Sequence, residues 1–265
     1  MASGTVASGK RTWADIREGA VLYEDDAALL LNKPTGVSVL GERHDTDLVR
    51  LARDAGEELF AVHRIDKVTS GAILFAKELR HHGDLTRQFN KRTVGKAYLV
   101  LTRSSGLPAR GRIDLPLSAG RKGRTRIAAP RDSITEHEGT WSVPASEILS
   151  EVKTYPSTTE FATVWTDGEH SLLVARPVTG RRHQIRVHLA WIGHPIEGDP
   201  LFDRQSTTRT CLHSWYLAFD AAWADGTRIA RHAAPDAAFW APAGAADPSA
   251  LLTAADAGLA TLLEN

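Results

Sequence analysis

Short apolar segments separated by turn residues recur along this chain, and they constrain its fold more than any other feature of the sequence. Val21–Asp26 and Ala28–Pro34 predict two short strands joined by an acidic turn. Gly71–Ala76 predicts a buried strand, and Ser157–Trp165 with Ser171–Pro177 predicts a strand pair. Because these segments do not alternate regularly with helices, the sequence predicts an α+β domain built on a mixed sheet.

Helical spacing is confined to a few segments. Asp47–Glu58, Glu78–Asn90 and His183–Ile192 predict helices. Further strands are predicted at Val94–Leu101 and Cys211–Phe219, where apolar and β-branched or aromatic residues are frequent. These segments add flanking helices to the predicted sheet.

Both ends of the chain, and one stretch in its middle, have weaker patterns. The pattern fades over Pro130–Ser146, which is expected to be a surface excursion. We expect a flexible N-terminal tail over residues 1–18 and one domain over residues 19–242. Residues 243–265 are expected to form a C-terminal tail whose alanine content favours a helix.

Composition excludes several kinds of site. Cys211 is the single cysteine among 265 residues, so an intrachain disulfide and a zinc site with two cysteine ligands are excluded. His63, His183 and His188 lack the HExxH-like spacing of a metal site, so no metal is expected. No GxxxxGK(S/T) loop and no GxGxxG turn is present, which argues against a nucleotide cofactor.

The sequence also carries no sign of a membrane or secretory protein. No apolar run approaches the ~20 residues that a membrane span needs. The segment Met1–Lys10 is rich in Ser, Gly and Ala and lacks the apolar core of a signal peptide. The cytoplasm is therefore the expected location.

Charge is unevenly distributed along a chain whose formal net charge is zero. Residues 80–126 contain twelve Lys or Arg and two acids, whereas residues 132–151 contain five acids and no Lys or Arg. A basic face of this kind can bind phosphates even on a neutral protein. A solvated surface is the alternative interpretation, and the sequence leaves the two open.

Two blocks far apart in the sequence contain the best candidates for chemistry. In the first, His63–Gly71, Asp66 follows a predicted strand at Ala61–Arg64 and precedes a Thr-Ser-Gly turn. In the second, Thr179–His188, Arg186 can serve as the counter-ion of Asp66. Asp66 is then available as a nucleophile or base. The alternative is that Asp66 only caps its turn.

Three further residues have two interpretations each. Arg64 lies two positions before Asp66, so both point to one face of a strand, either to touch a substrate or to neutralise the acid. Tyr98 can stack on a base or fill the core. Lys33 can contact phosphate or belong to a plain turn. The stretch His194–Asp199 is interpreted as mostly architectural.

Taken in order, these blocks are similar to a known family. The matching motifs are Asn32-Lys33-Pro34-Thr35-Gly36, His63-Arg64-Ile65-Asp66 with Thr69-Ser70-Gly71, Lys96-Ala97-Tyr98, Thr179-Gly180-Arg181 with His183-Gln184-Ile185-Arg186-Val187-His188, and Gly193-His194-Pro195-Ile196 with Gly198-Asp199. From about Val21 to Phe239 the chain resembles the RluA-type RNA pseudouridine synthases. Arg182 replaces the usual Thr of the fourth motif, and Phe202 stands where the family often has Tyr.

The resemblance implies a central mixed, mainly antiparallel sheet with flanking helices, crossed by an RNA cleft. It implies isomerisation of uridine to pseudouridine in structured RNA, either ribosomal or transfer RNA, by a monomer without cofactor or metal. The catalytic residues that it implies are Asp66, Tyr98 and Arg186. The implied substrate contacts are Arg64, Ile185, His63, Lys33, Arg181, His183 and Gln184.

Recognition of RNA is expected to come from the catalytic domain, including the basic 80–126 segment. The stretch before Val21 is too short for the S4-like RNA-binding domain of many relatives. One rival interpretation is a non-catalytic RNA-binding protein. Another is a glycosidase or nucleoside-processing enzyme, which would need a partner carboxylate that neither block clearly supplies.

Overall fold

The computed structural model describes residues 11–41, 47–120 and 124–264. Within them the strands are β1 (Val21–Glu24), β2 (Ala28–Lys33), β3 (Phe60–Ala61), β4 (Ser70–Ala76), β5 (Gly95–Thr102), β6 (Arg110–Asp114), β7 (Leu117–Ala119), β8 (Thr125–Ile127), β9 (Thr135–His137), β10 (Thr140–Ser142), β11 (Thr154–Tyr155), β12 (Thr158–Thr166), β13 (Ser171–Pro177), β14 (Leu212–Ala221) and β15 (Thr227–His232). The α-helices are α1 (Trp13–Arg17), α2 (Leu48–Asp54), α3 (Leu79–Lys91), α4 (Gln184–Trp191), α5 (Ala237–Trp240) and α6 (Pro248–Leu263).

One large sheet organises the protein. Its strands run in the order β1-β2-β4-β14-β5-β13-β12-β6-β10-β9, with β3 paired to β4 and β15 paired to β14. Only the β4–β14 and β6–β10 pairs are parallel among the described strands. The predicted mixed, mainly antiparallel sheet with flanking helices is therefore confirmed. A separate small sheet has the order β11-β7-β8.

Helices cover both faces of the sheet because successive strand residues point to opposite sides. Leu99 and Leu101 of β5 pack under α5 and α6, whereas Val100 packs with α4 on the other face. On that other face a second group of core residues lies under α1 and α2. Tyr98 packs against both this group and the α4 group. The two groups thus meet at the middle of the sheet, beside β5.

Several elements differ from the predictions made from the sequence. The segment 130–146, expected as a surface excursion, contributes β9 and β10 to one edge of the sheet. Strand β15 was not predicted, since most of its residues are exposed and it lacks an apolar stripe. The strand expected at residues 61–64 ends at Ala61, and the chain then enters the loop that carries Asp66.

Within the described residues, both ends of the chain form helices that pack on the domain. In α1, Trp13 and Ile16 are buried against the core, so the segment 1–18 is not a tail over its last residues. Residues 1–10 lie outside the described residues. At the other end, α6 begins with Asp247 as its N-cap and Pro248 at its first position, a common helix start.

Helix α6 is an integral layer of the fold. Leu251, Ala255, Leu259 and Leu262 are buried in the core that it shares with β5, β12 and β13. Gly258 allows the close approach, because a Cβ there would lie 2.6 Å from the Val164 side chain. The helix therefore stabilises the sheet from the face opposite Tyr98.

Replacing Leu259 with alanine is expected to lower the free energy of unfolding by about 2–4 kcal/mol. The side chain is 5% exposed, so its removal leaves a cavity under the helix. The matched control is Leu263→Ala, because the Leu263 side chain is 48% exposed. This substitution is expected to change the free energy of unfolding by less than about 0.5 kcal/mol. Equal effects in urea unfolding would show that α6 does not pack as described.

Candidate active site

Asp66 and Arg186 meet at the centre of the sheet although 120 residues separate them. Arg186 Nη1 lies 3.0 Å from Asp66 Oδ2. Arg186 also donates from Nε and Nη2 to the two oxygens of Asp199, at 2.7 and 2.5 Å. The guanidinium therefore bridges two carboxylates, a bidentate contact on one side and a single contact on the other.

The bridge between the three side chains is largely buried. The side chain of Asp66 is 17% exposed, that of Arg186 is 5% exposed and that of Asp199 is inaccessible. Burial alone would lower the pKa of Arg186, but the Asp199 and Asp66 carboxylates raise it above its ordinary value. Arg186 thus stays charged, and it holds Oδ2 of Asp66, whereas Oδ1 lies 3.7 Å from His183 Nε2.

Local backbone geometry explains how the two blocks reach each other. Gly71 has φ +105°, and a Cβ there would lie 2.2 Å from the Ser214 carbonyl oxygen, so only glycine permits the β4–β14 pairing. This pairing fixes the end of the loop that carries Asp66. On the other side, His183 has φ 56° immediately before α4, which places Arg186 in the first turn of that helix.

Tyr98, Ile185 and Leu212 supply the apolar part of the site. All three line one pocket together with Asp66. Burial raises the pKa of Tyr98 to about 12, with the Ser214 hydrogen bond acting in the opposite direction. The ring is therefore a neutral phenol at physiological pH, and its aromatic face can stack on a planar ligand.

The pocket is about 420 Å³ in volume and strongly basic. Asp66 is the single carboxylate among the described lining residues. The cationic lining residues are Arg64, Arg92, Lys96, Arg181, Arg182 and Arg186. A cleft with this charge attracts phosphates and concentrates anionic ligands.

Lys33 does not line the pocket. Its side chain is fully buried, and Nζ donates to the carbonyl oxygens of Val37 at 2.7 Å, Pro34 at 3.0 Å and Lys67 at 3.4 Å. Burial lowers the pKa of Lys33 to about 7, and the charge of Asp66 acts in the opposite direction. The expectation that Lys33 contacts substrate is wrong, because its donors hold the loops around Asp66.

Gln184 likewise has a structural role, because its side chain joins the Thr179–Arg181 loop to β12. Its Oε1 accepts from Thr179 Oγ1 at 2.7 Å and from the Arg181 amide at 3.0 Å. Its Nε2 donates to the Thr158 carbonyl at 2.8 Å and to Thr159 Oγ1 at 3.1 Å. Since an amide side chain has two donors and two accepting lone pairs, Gln184 has no capacity left for a substrate. The expected substrate contact is corrected to a positioning role.

His63 forms part of the pocket wall. Its Nε2 accepts from the Leu74 amide at 3.0 Å, and its ring stacks on Phe89 with centroids 4.2 Å apart. Burial, and then the charge of Lys96, lowers the pKa of His63 to about 3. The His63 ring is therefore neutral, and it contributes an uncharged aromatic surface to the pocket wall.

The other predicted substrate contacts lie at the pocket with groups still available. Arg64 is exposed and lines the pocket. Arg181 lies over the Tyr155 ring at 5.2 Å. His183 Nε2 is 3.7 Å from Asp66 Oδ1, and its buried Nδ1 has no hydrogen-bond partner among the described residues. Burial lowers the pKa of His183, whereas Asp66 acts to raise it.

Sequence reasoning did not assign roles to Asp199, Lys96 or Arg92. Asp199 belongs to the Gly198-Asp199 pair that was interpreted as architectural, and only the structure shows its contact with Arg186. Lys96 precedes Tyr98 by two residues, and this spacing could have placed it on the same face of a strand. Arg92 belongs to the basic 80–126 segment.

The described residues contain no cluster of three or more His, Cys, Asp or Glu side chains that could hold a metal ion. Every helix within them is too short or too polar to cross a membrane.

The chain is similar to known proteins in both sequence and fold. The family model described as RNA pseudouridylate synthase matches residues 27–191. The tRNA pseudouridine synthase C of Pasteurella multocida is 34% identical over 219 residues, covering 75% of this chain and 84% of the relative. The dual-specificity RNA pseudouridine synthase RluA of Escherichia coli O6:H1 is 33% identical over 206 residues, covering 74% and 84%. The fold is similar to human RNA Pseudouridylate Synthase Domain Containing 4, with a TM-score of 0.68, 20% identity and coverage of 92% and 95%.

Proposed function

This chain belongs to the RluA-type RNA pseudouridine synthase family, and on that premise we propose that Asp66 is the group that acts on the ribose of the target uridine. The protein is thus an isomerase that converts uridine to pseudouridine in RNA. The observation that carries the role of Asp66 is its position. Among the described residues it is the single carboxylate that lines a basic pocket. Arg186 holds its Oδ2 at 3.0 Å, and its Oδ1 lies 3.7 Å from His183 Nε2.

The first step is displacement of the base. A uracil stacked inside RNA must leave the stack before its glycosidic bond can be reached, at a cost of a few kcal/mol. Arg64, exposed at the pocket, fills the space that the base leaves. Tyr98 and Ile185 then hold the uracil between an aromatic and an aliphatic surface.

Bond exchange follows inside the pocket. Asp66 acts as nucleophile at C1′ or as base at the 2′ position, and the bond between C1′ and N1 breaks. The uracil rotates, C5 bonds to C1′, C5 loses its proton and N1 gains one, so atoms and charge balance without an oxidant or cofactor. The apolar surfaces of Tyr98, Ile185 and Leu212 exclude water during the time when the base is detached.

Release of tritium from RNA that contains 5-tritiated uridine tests this function directly, because the C5 hydrogen is lost in the reaction. We expect release from unmodified transfer or ribosomal RNA transcripts and none from free uridine or uridine monophosphate. Binding of these transcripts without release would instead indicate a non-catalytic RNA-binding protein. Release from the free nucleoside would indicate a nucleoside-processing enzyme.

Replacing Tyr98 with alanine is expected to lower kcat/KM by about 10- to 100-fold, since stacking on an aromatic side chain is worth about 1–3 kcal/mol per base. Tyr98→Phe keeps the ring and is expected to retain most of this stacking energy. Tyr216→Ala is the matched control, because Tyr216 lies on β14 and does not line the pocket. A Tyr98→Ala enzyme with unchanged kcat/KM would contradict the stacking role.

The class of RNA is proposed from the names of the relatives together with the positive charge of the site. One relative is named as a tRNA enzyme and the other as a dual-specificity RNA enzyme. We extend this to structured tRNA or rRNA for the present chain, acting as a cytoplasmic monomer. The basic pocket supports an RNA substrate, since six cationic side chains surround one carboxylate. Mapping the pseudouridines lost from total RNA after gene deletion tests the assignment.

A further inference from the structure

Lys96 and Arg92 form a pair of positive charges on the wall of the pocket. Lys96 lies on β5 two residues before Tyr98, so both side chains point to the same face of the sheet. Arg92 is the residue at which α3 ends, in the left-handed conformation with φ 61°. Both residues line the pocket. Neither side chain forms a hydrogen bond or ion pair with any residue that the structure describes.

This arrangement is unfavourable for the half-buried Lys96, whereas the Arg92 side chain is exposed to solvent. Burial, and then the charge of Arg92, lowers the pKa of Lys96 to about 8. Lysines in such surroundings normally have an acidic partner, because an unpaired charge that has lost its water is costly. A bound anion would supply the missing partner and remove the repulsion between the two cations.

Lys33 shows what a buried lysine looks like when its role is structural. Its ammonium donates to three backbone carbonyl oxygens and is closed off from the pocket. Lys96 has no such carbonyl partner in the part of the chain that the structure describes. It approaches Gly180, where an added Cβ would lie 3.3 Å from Lys96 Nζ, so no side chain covers the ammonium on the side of this glycine. The difference between the two lysines favours an external partner for Lys96.

We infer that Lys96 and Arg92 form an anion-binding subsite that takes a backbone phosphate of the RNA beside the target uridine. Residues i and i+2 of a strand are about 7 Å apart, so a nucleotide whose base stacks on Tyr98 has its backbone within reach of Lys96. This inference rests on the proposed function, because it takes the stacked base as that of the substrate. The subsite selects for a nucleotide within a chain over a free nucleoside, which has no phosphate.

The test is the salt dependence of RNA binding. Each neutralised phosphate contributes about 0.7–0.9 to the slope of log K against log salt concentration. Lys96→Gln is expected to lower the slope for an unmodified tRNA transcript by about this amount, measured by fluorescence anisotropy from 50 to 300 mM salt, whereas Lys96→Arg is expected to retain it. Arg53→Gln, which removes one positive charge from an exposed residue outside both the pocket and the basic 80–126 segment, is expected to leave the slope unchanged.

A double variant distinguishes two cases: Lys96 and Arg92 contact the same phosphate, or each contacts a different phosphate. Arg92→Asn, chosen because Asn tolerates the left-handed conformation, is expected to lower the slope like Lys96→Gln. The double variant is then expected to lose little more than either single variant. An unchanged slope in Lys96→Gln and Arg92→Asn, or an equal loss in Arg53→Gln, overturns the subsite.

The salt dependence of RNA binding can be measured whether or not the protein isomerises uridine. Tritium release by the unsubstituted protein reports on the proposed function, and the slope reports on the subsite. If the unsubstituted protein releases tritium but the slope is unchanged in Lys96→Gln and Arg92→Asn, the subsite alone is refuted. A lowered slope in a protein that never releases tritium would refute the proposed reaction while supporting the phosphate contact.

Discussion

Asp66→Asn is expected to abolish tritium release, lowering kcat by at least about 10³-fold, while RNA binding changes by less than about threefold. A 10³-fold loss corresponds to about 4 kcal/mol of barrier, which fits removal of the group that attacks or deprotonates the ribose. Binding persists because the cationic lining residues are untouched. The neutral amide has nearly the same shape as the carboxylate, so the pocket keeps its form.

Stability distinguishes this effect from unfolding. Arg186 keeps both hydrogen bonds to Asp199 in the Asp66→Asn protein, so its charge remains paired. Asp26→Asn is the matched control, an exposed acid outside the pocket that is expected to have no effect on turnover. A folded Asp66→Asn protein with normal activity would refute the role proposed for Asp66.

Asp199→Asn is expected to reduce both stability and turnover. Asp199 is inaccessible and accepts two hydrogen bonds from Arg186, and breaking a buried ion pair typically costs about 3–5 kcal/mol of unfolding free energy. The released guanidinium then has only Asp66 as a charged acceptor among its present partners. It is expected to draw the Asp66 carboxylate out of line and to reduce its reactivity, so kcat falls by about tenfold or more.

Glu197→Gln provides the comparison for Asp199→Asn. Glu197 is also buried, lies two residues away and pairs with Arg103 at 2.8 and 3.0 Å, but it has no contact with Arg186 or Asp66 among the described residues. Both variants are expected to lose stability in urea unfolding. At a temperature where both are folded, only Asp199→Asn is expected to lose kcat. Equal kcat values in the two variants would show that Asp199 serves the fold alone.

Much of the sheet was predictable because its signals are local. The strands at residues 21–33, 70–76, 158–166 and 171–177 are apolar and bounded by turns, and the structure contains them almost as predicted. Strand β15 and the strands within 130–146 were missed, because their exposed faces carry no apolar pattern. A helix was expected within the C-terminal tail, but its packing as α6 was not predicted, because its alanines do not reveal that it covers the sheet.

The sequence alone supplied the candidate groups Asp66, Tyr98 and Arg186, because the ordered motifs that contain them resemble those of a known family. Only the tertiary structure decided which polar groups remain free for a ligand. The hydrogen-bonding capacity of Lys33 and Gln184 is filled by backbone and hydroxyl partners, and Asp199 shares Arg186 with Asp66. Lys96 lines the pocket and has no hydrogen-bond or ion-pair partner among the described residues. Hydrogen-bond capacity is filled by neighbours distant in sequence, so it depends on packing that no local pattern records.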